Sequence, residues 1–358
     1  MQVRIDNLYY LLCYAWNELD ARSLVQVGQV DGQSPERLFA RVFVAAANKL
    51  LRRRLDRGYV EARDDLRRPR GNMLVTSTIG RGLLQRGFVE CSADDLTEDV
   101  LHNRLVKATA LALLRVAGIS GPQRSELGQI VCAMSGVSTI RAAPADFRRC
   151  QLHSNLRHYR FLLHVGELVH RCVLIDAKSG RVTFQSFAGD EQAMGALFEA
   201  FLREFLTREQ TAFQDVARRQ VPWALEGDHA HLLPTMNTDI VLRRPGLRVV
   251  VEAKCYRHPT VTRRSGGEAL RSKDLYQLLS YVTNLKAAHP ADDVQGVLVY
   301  AVDEQRLPRA SFALQGRRIA VFPINLNRPW PEIHACLLEL VLEASSHPTA
   351  ATARQQAR

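Results

Sequence analysis

Three signatures are missing from this chain, and each absence narrows what it can be. No run of 18 or more apolar residues occurs, so no helix is expected to cross a membrane. No GxxxxGK[ST] loop occurs, so the chain is not expected to hydrolyse a nucleotide itself. No CxxC pair occurs among the seven cysteines (13, 91, 132, 150, 172, 255 and 336), so no zinc site is indicated. Their odd count and scattered placement fit reduced thiols in the cytoplasm. The opening Met1-Gln2-Val3-Arg4-Ile5-Asp6 also lacks the basic and apolar blocks of a signal peptide.

What is present describes a globular protein. The 358 residues suffice for two domains, and 46% hydrophobic with 24% charged residues is ordinary for a soluble chain. Forty-eight basic residues against 37 acidic ones leave a net charge of +11, which favours an anionic partner, most simply nucleic acid. Most of the excess is arginine, which an arginine-rich proteome would also produce.

The chemistry concentrates in Asn237-Thr238-Asp239-Ile240 and Val249-Val250-Val251-Glu252-Ala253-Lys254. These read as two strands joined at Pro245-Gly246, because Pro presets φ at the first corner and Gly accepts positive φ at the second. With that turn, Asp239 falls opposite Glu252. Opposed residues of an antiparallel pair share a face, with Cβ atoms roughly 5 Å apart. Glu252 and Lys254 share that face too, and Ala253 points away. A one-residue slip would send Asp239 to the wrong side. Two opposed carboxylates repel unless a cation lies between them. Mg²⁺ suits the pair because it takes oxygen ligands and completes its shell with water and phosphate; Mn²⁺ is a second option. Asp239 and Glu252 are therefore expected as metal ligands. Lys254 is expected to orient water or offset charge on the phosphorus, making Asp239, Glu252 and Lys254 the catalytic set. The rival reading is a solvated hairpin whose charges only confer solubility.

Around this hairpin the periodicity predicts helices over Leu8 to about Leu19, Pro35 to Arg54, Thr97 (or Asp94) to Val116, and 122–134. Leu74 to Ile79 is expected as a strand. The Arg- and His-rich stretch from Arg148 to Arg160 is either a tract that follows a nucleic-acid backbone or the start of a helix. Ile175-Asp176-Ala177-Lys178 repeats the acid-x-Lys pattern but runs into Ser179-Gly180, so it is read as a hairpin corner. A helix from Asp190 to about Gln210 offers Glu199 or Glu204 to the metal site. Asp228-His229-Ala230-His231 lacks a third ligand and is read as a loop. The stretch Arg257 to Arg271 is a basic loop; its Arg257, Arg263, Arg264 and Arg271, with Lys273 beyond, are expected nucleic-acid contacts. A helix from Lys273 to about Leu285 places Gln277 near Lys254 or the substrate. Strands 296–300 and 319–322 and a helix from Pro331 to Ala344 follow. The Ala-, Arg- and Gln-rich tail after Ser346 is expected to be disordered.

The order helix, strand, Glu-x-Lys strand, helix, strand resembles the core of the PD-(D/E)XK nucleases. The likeness then narrows. Ile5-Asp6-Asn7-Leu8-Tyr9-Tyr10-Leu11-Leu12-Cys13-Tyr14-Ala15-Trp16, Cys91 through Asp99 with Asn103-Arg104 and Lys107-Ala108-Thr109, and Gly136-Val137-Ser138-Thr139-Ile140 resemble segments of the McrC family. Leu233-Pro234-Thr235-Met236-Asn237-Thr238-Asp239-Ile240, Glu252-Ala253-Lys254-Tyr256 and Asp274-Leu275-Tyr276-Gln277-Leu278 resemble it most specifically. McrC is the nuclease subunit of the McrBC methylation-dependent restriction systems.

The resemblance implies an α/β (α+β) protein: a mixed N-terminal docking domain at 1–185, then a PD-(D/E)XK endonuclease domain at 186–345 whose central mixed sheet is flanked by helices, and a tail at 346–358. It implies DNA cleavage in concert with a hexameric McrB-like AAA+ GTPase. The partner would bind the GTP and read double-stranded DNA carrying modified cytosine. Glu199, Gln277 and Tyr256 would support the catalytic set. Asn103, Arg104 and the 148–160 stretch are the candidates for contact with the partner. Two rival functions remain: a self-sufficient repair or transposition nuclease of the same fold, and a non-catalytic adaptor that activates a GTPase ring.

Overall fold

The computed structural model describes residues 3–17, 34–175, 182–184, 190–228, 230–262, 266–302 and 307–345. Asp176-Ala177-Lys178, His229, Arg263, Arg264 and the tail lie outside these residues. The contacts divide the chain into two units: one holds residues 34–184, the other residues 3–17 and 190–345. The division expected from the sequence differs at its beginning, because the first helix, α1 (Ile5–Ala15), packs within the second of these units, on the helix that follows residue 190.

The 34–184 unit runs α2 (Pro35–Arg52), β1 (Gly58–Leu66), β2 (Asn72–Met73), α3 (Val75–Gly80), β3 (Val89–Thr97), α4 (Leu101–Arg115), α5 (Gly121–Ala133), α6 (Pro144–Arg149), α7 (Arg157–Cys172), β4 (Val173–Ile175) and β5 (Val182–Phe184). β3 lies between β1 and β2, antiparallel to both. Helix α2 buries Leu38, Phe39, Val42, Phe43, Ala46 and Leu50 along one stripe, as its 3.6-residue period dictates. Two sequence expectations fail here. Residues 75–80 are helical, although Val75, Thr76 and Thr78 favour a strand by propensity, and residues 89–97 are a strand where a helix was expected to begin. A full nine-residue antiparallel register, Gly58 opposite Thr97 through Leu66 opposite Val89, overrides the local pattern. The Arg- and His-rich stretch resolves as a helix start: Tyr159, in the first turn of α7, is fully buried.

The other unit contains α1, α8 (Glu191–Glu209), β6 (Asp215–Ala217), β7 (Gln220–Val221), β8 (Met236–Asn237), β9 (Ile240–Arg244), β10 (Leu247–Cys255), β11 (Thr260–Thr262), β12 (Glu268–Leu270), α9 (Ser272–Ala288), β13 (Asp293–Val302), β14 (Ala310–Leu314), β15 (Arg317–Asn325) and α10 (Trp330–Ser345). Its sheet has the order β14-β15-β13-β10-β9-β6. β10, β13 and β15 are parallel, and β9, β6 and β14 add antiparallel edges. The middles of β10 and β13 are buried on both faces, which explains the unbroken apolar runs Val249–Val251 and Val297–Val299. Helix α9 crosses from β10 to β13 and packs on the face carrying Val250, Leu298 and Tyr300 through Leu278, Tyr281, Val282 and Leu285. Gly296 permits this approach: a Cβ there would lie 2.9 Å from Leu278 and Ile319. Helix α1 is fixed by aromatic packing, Tyr10 stacked 4.5 Å from Trp330 and Tyr14 against Phe201 and Phe205, and by buried Asn7, which donates to the carbonyls of Leu326 and Arg328. Asn7 is thus a tertiary anchor inside α1.

Candidate active site

The turn at Pro245-Gly246 forms with Gly246 at φ +75°, and it sets the register. Leu247 pairs with Arg244 and Val251 with Ile240, so Asp239 stands one step past the end of the ladder, level with Glu252. There its carboxylate accepts a 2.9 Å hydrogen bond from the Ala253 amide. The residue before it is clasped. Buried Thr238 donates its N–H and hydroxyl to the Arg219 carbonyl at 2.9 and 3.0 Å, and its Oγ1 accepts from the Arg219 amide at 3.1 Å. The hairpin thus presents Asp239 from a fixed backbone.

Glu252 is 1% exposed. Lys254 Nζ donates to Glu252 Oε1 at 2.8 Å and to Gln277 Oε1 at 2.9 Å, and Gln277 Nε2 donates onward to the Tyr281 hydroxyl at 3.0 Å. The structure therefore brings Asp239, Glu252, Lys254 and Gln277 together. Glu199 of α8 accepts from Arg203 at 3.1 Å, and its charge reaches both acids.

The electrostatics are those of two acids forced together. Burial first, then Glu252 and Glu199, push Asp239 up to about 7; the Ala253 amide and Lys254 oppose the rise. Burial also raises Glu252, against the pull of Lys254. Burial opposes charge on Lys254, yet Glu252 beside it raises the ammonium above its ordinary value. Glu252 Oε2 is buried with no hydrogen-bond partner, an expensive state for a carboxylate oxygen. Among the described residues no group of three or more His, Cys, Asp or Glu side chains is placed to hold an ion. A hard cation that takes two carboxylates and fills its remaining positions with water or phosphate oxygens, as Mg²⁺ does, would answer the buried Glu252 oxygen.

Beside this cluster stands a group the sequence reading missed. Asp274, in the first turn of α9, is 1% exposed and accepts from the hydroxyls of Tyr256 at 3.0 Å and Tyr300 at 2.9 Å. An acid in a helix's first turn reads as a dipole partner, and only the fold reveals it as buried. The Tyr256 ring, expected near the site, carries the Arg271 guanidinium 4.5 Å and the Lys273 ammonium 5.1 Å from its centroid. Arg271 also donates to the His258 carbonyl at 2.8 Å, and the Arg257 amide donates to Glu191 at 2.9 Å.

In the 34–184 unit, Asn103 and Arg104 serve the fold. Asn103 Nδ2 donates to the carbonyls of Asp56 and Glu98, and its Oδ1 accepts from Tyr159 at 2.7 Å. Arg104 holds Asp99, which also accepts from the Ser138 amide and hydroxyl. Buried Lys107 donates to the carbonyls of Met134 and Val137.

Comparison with known proteins shows the family. A family model described as McrBC 5-methylcytosine restriction system component matches residues 6–301. The chain is 28% identical over 341 residues to the Type IV methyl-directed restriction enzyme EcoKMcrBC of Escherichia coli (strain K12), covering 94% of this chain and 97% of that one. Its fold is similar to one in the refined half-complex from a tetradecameric assembly of Thermococcus gammatolerans McrB AAA+ hexamers with bound McrC. That likeness has a TM-score of 0.57 and 19% identity, over 95% of this chain and 75% of the other. With a family match spanning most of its length and a hairpin that gathers the acids and lysine of its most specific segments, the chain belongs to the McrBC family of restriction-system components, on the McrC side.

Proposed function

We propose that this chain is the endonuclease subunit of a restriction complex directed at modified cytosine, and that it hydrolyses DNA phosphodiesters with a divalent metal. The observation that carries the proposal is the convergence of Asp239, Glu252 and Lys254, with one Glu252 oxygen left without a hydrogen-bond partner. Asp239 and Glu252 would hold Mg²⁺, or Mn²⁺ in its place. The chemistry such an ion supplies when bound is polarisation of a phosphate oxygen and easier ionisation of water. Lys254 stays an ammonium beside Glu252 and offsets the charge that grows on the phosphorus as the nucleophile attacks. Gln277 accepts a hydrogen bond from that ammonium through Oε1 and fixes its direction. Arg271 and Lys273, seated on Tyr256, are available to DNA phosphates, with Arg257 nearby and Arg263 and Arg264 as further contacts.

The partner reading rests on the family and on the assembly in which its structural neighbour was solved. An AAA+ GTPase hexamer of the McrB type would bind the GTP and select the modified DNA, and residues 34–184 would dock to it. The test is cleavage of methylated and unmethylated plasmid with Mg²⁺, with and without GTP and the cognate AAA+ protein. Cutting that needs methylation, GTP and partner is expected. Cutting by the lone chain would make it a self-sufficient nuclease. Faster GTP hydrolysis without any cutting would make it an adaptor.

A further inference from the structure

The catalytic lysine does not hold itself. Lys254 leans on Gln277, and Gln277 belongs to α9, a separate element whose placement along the sheet decides where its side chains fall. Apolar contacts through Leu278, Val282 and Leu285 press α9 onto the sheet, but such contacts are non-directional and do not set its advance to within an ångström. Directional bonds do, and at the catalytic end α9 makes two of them through one residue. Asp274 Oδ1 accepts from Tyr256, which follows β10 directly and is two residues beyond Lys254. Asp274 Oδ2 accepts from Tyr300 of β13, and Tyr300 is the residue opposite Lys254 in the parallel β10–β13 register. The two bonds tie the first turn of α9 to β13 on the rung that carries the lysine and to the residue just past the end of β10. Gln277 lies three residues on, about one turn further along the helix, where it meets Lys254.

We infer that Asp274 is a positioning residue for the reaction: its carboxylate, held between Tyr256 and Tyr300, fixes α9 so that Gln277 aims the Lys254 ammonium at the phosphate being cut. Burying a carboxylate is costly, and an acid in the first turn of a helix gains its favourable interaction with the helix dipole without being buried. This inference rests on the nuclease reading above, in which Lys254 acts on the transition state.

The test is a double-mutant cycle in the full complex, using single-turnover cleavage at saturating DNA. Wild type, Asp274→Ala, Gln277→Ala and the double variant are compared at a temperature where melting curves show each folded. Each single change is expected to slow cleavage about 10- to 100-fold with the DNA concentration at half-maximal rate unchanged, since a misplacement of about 1 Å costs up to about 100-fold. The double variant is expected to be no slower than the slower single one, because both act through Lys254. Cleavage by Asp274→Ala within threefold of wild type, or slowing factors that multiply in the double variant, would overturn the inference and leave Asp274 a fold residue. If Asp274→Ala fails to fold, Tyr300→Phe removes one of the two bonds without loss of ring volume and enters the same cycle with the same criterion. Lys254→Ala is run beside them. If it cuts like wild type the nuclease reading itself has failed, whereas a dead Lys254→Ala with a fully active Asp274→Ala defeats the positioning role alone.

Discussion

At the scale of single residues, the site holds two acids where burial disfavours their charge. Burial pushes both Asp239 and Glu252 toward the neutral form, and the Glu252 and Glu199 charges push Asp239 further, so neutralising Asp239 should relieve a cost that the fold bears. Asp239→Asn keeps an acceptor for the Ala253 amide and removes one charge. In metal-free buffer it is expected to melt a few degrees above wild type, taking ~2–4 °C per kcal/mol for a domain of this size. Mg²⁺ should raise the melting temperature of wild type and leave that of Asp239→Asn nearly unmoved. An unchanged melting temperature in metal-free buffer, or equal stabilisation of both by Mg²⁺, would show that the pair is not the metal seat. The acids and the lysine were legible in the sequence because strand alternation and one turn suffice to place them. Asp274 and Thr238 were not, because their partners come from segments whose approach no local pattern announces.

At the scale of elements, register decides where Asp239 stands. The Pro245-Gly246 turn places Asp239 level with Glu252, and insertion of one glycine between them should slip β9 by a residue and turn Asp239 away from the Ala253 amide. Cleavage is expected to fall by at least about 100-fold while circular dichroism stays native; full activity in the insertion variant would refute the register argument. Helix α7 makes a different prediction. Burial, then the Arg160 charge, pushes His164 down to about 4 from its ordinary 6.5. The unfolded chain therefore takes up a proton at that residue in a range where the folded chain does not. Stability is lost as pH falls from about 6.5 toward about 4. Thermal melts across that range should show the fall, and His164→Leu should flatten it; an unaltered slope would mean the ring is protonated in the fold. Several elements were read correctly from periodicity, among them α2, α5, α8 and α9. The strand at 89–97 differs from the sequence expectation because the β1–β3 pairing, formed between residues about 30 apart, outweighs local propensity, and residues 75–80 are helical against their own β propensity.

At the scale of the molecule, charge and chain order matter. The net +11 predicts DNA binding that weakens steeply with salt. Replacing Arg271 and Lys273 together by Ala should lower the slope of log affinity against log salt by roughly 2, about one per lost phosphate contact. A slope equal to wild type would remove the Tyr256 seat from the DNA interface. Chain order was the least legible property. The first helix packs in the unit that carries the site, which its position in the sequence does not announce and which its aromatic ring contacts with Trp330 and Phe201 explain.

The central claim is that Asp239, Glu252 and Lys254 together cut DNA, and the most direct measurement compares three single variants with wild type in the assembled complex. Asp239→Asn, Glu252→Gln and Lys254→Ala should each reduce single-turnover cleavage by at least about 100-fold, an effect typical of removing one catalytic electrostatic group. DNA binding and stimulation of the partner's GTPase should remain near wild type. Retention of cleavage by any one of the three at a rate close to wild type would contradict the account.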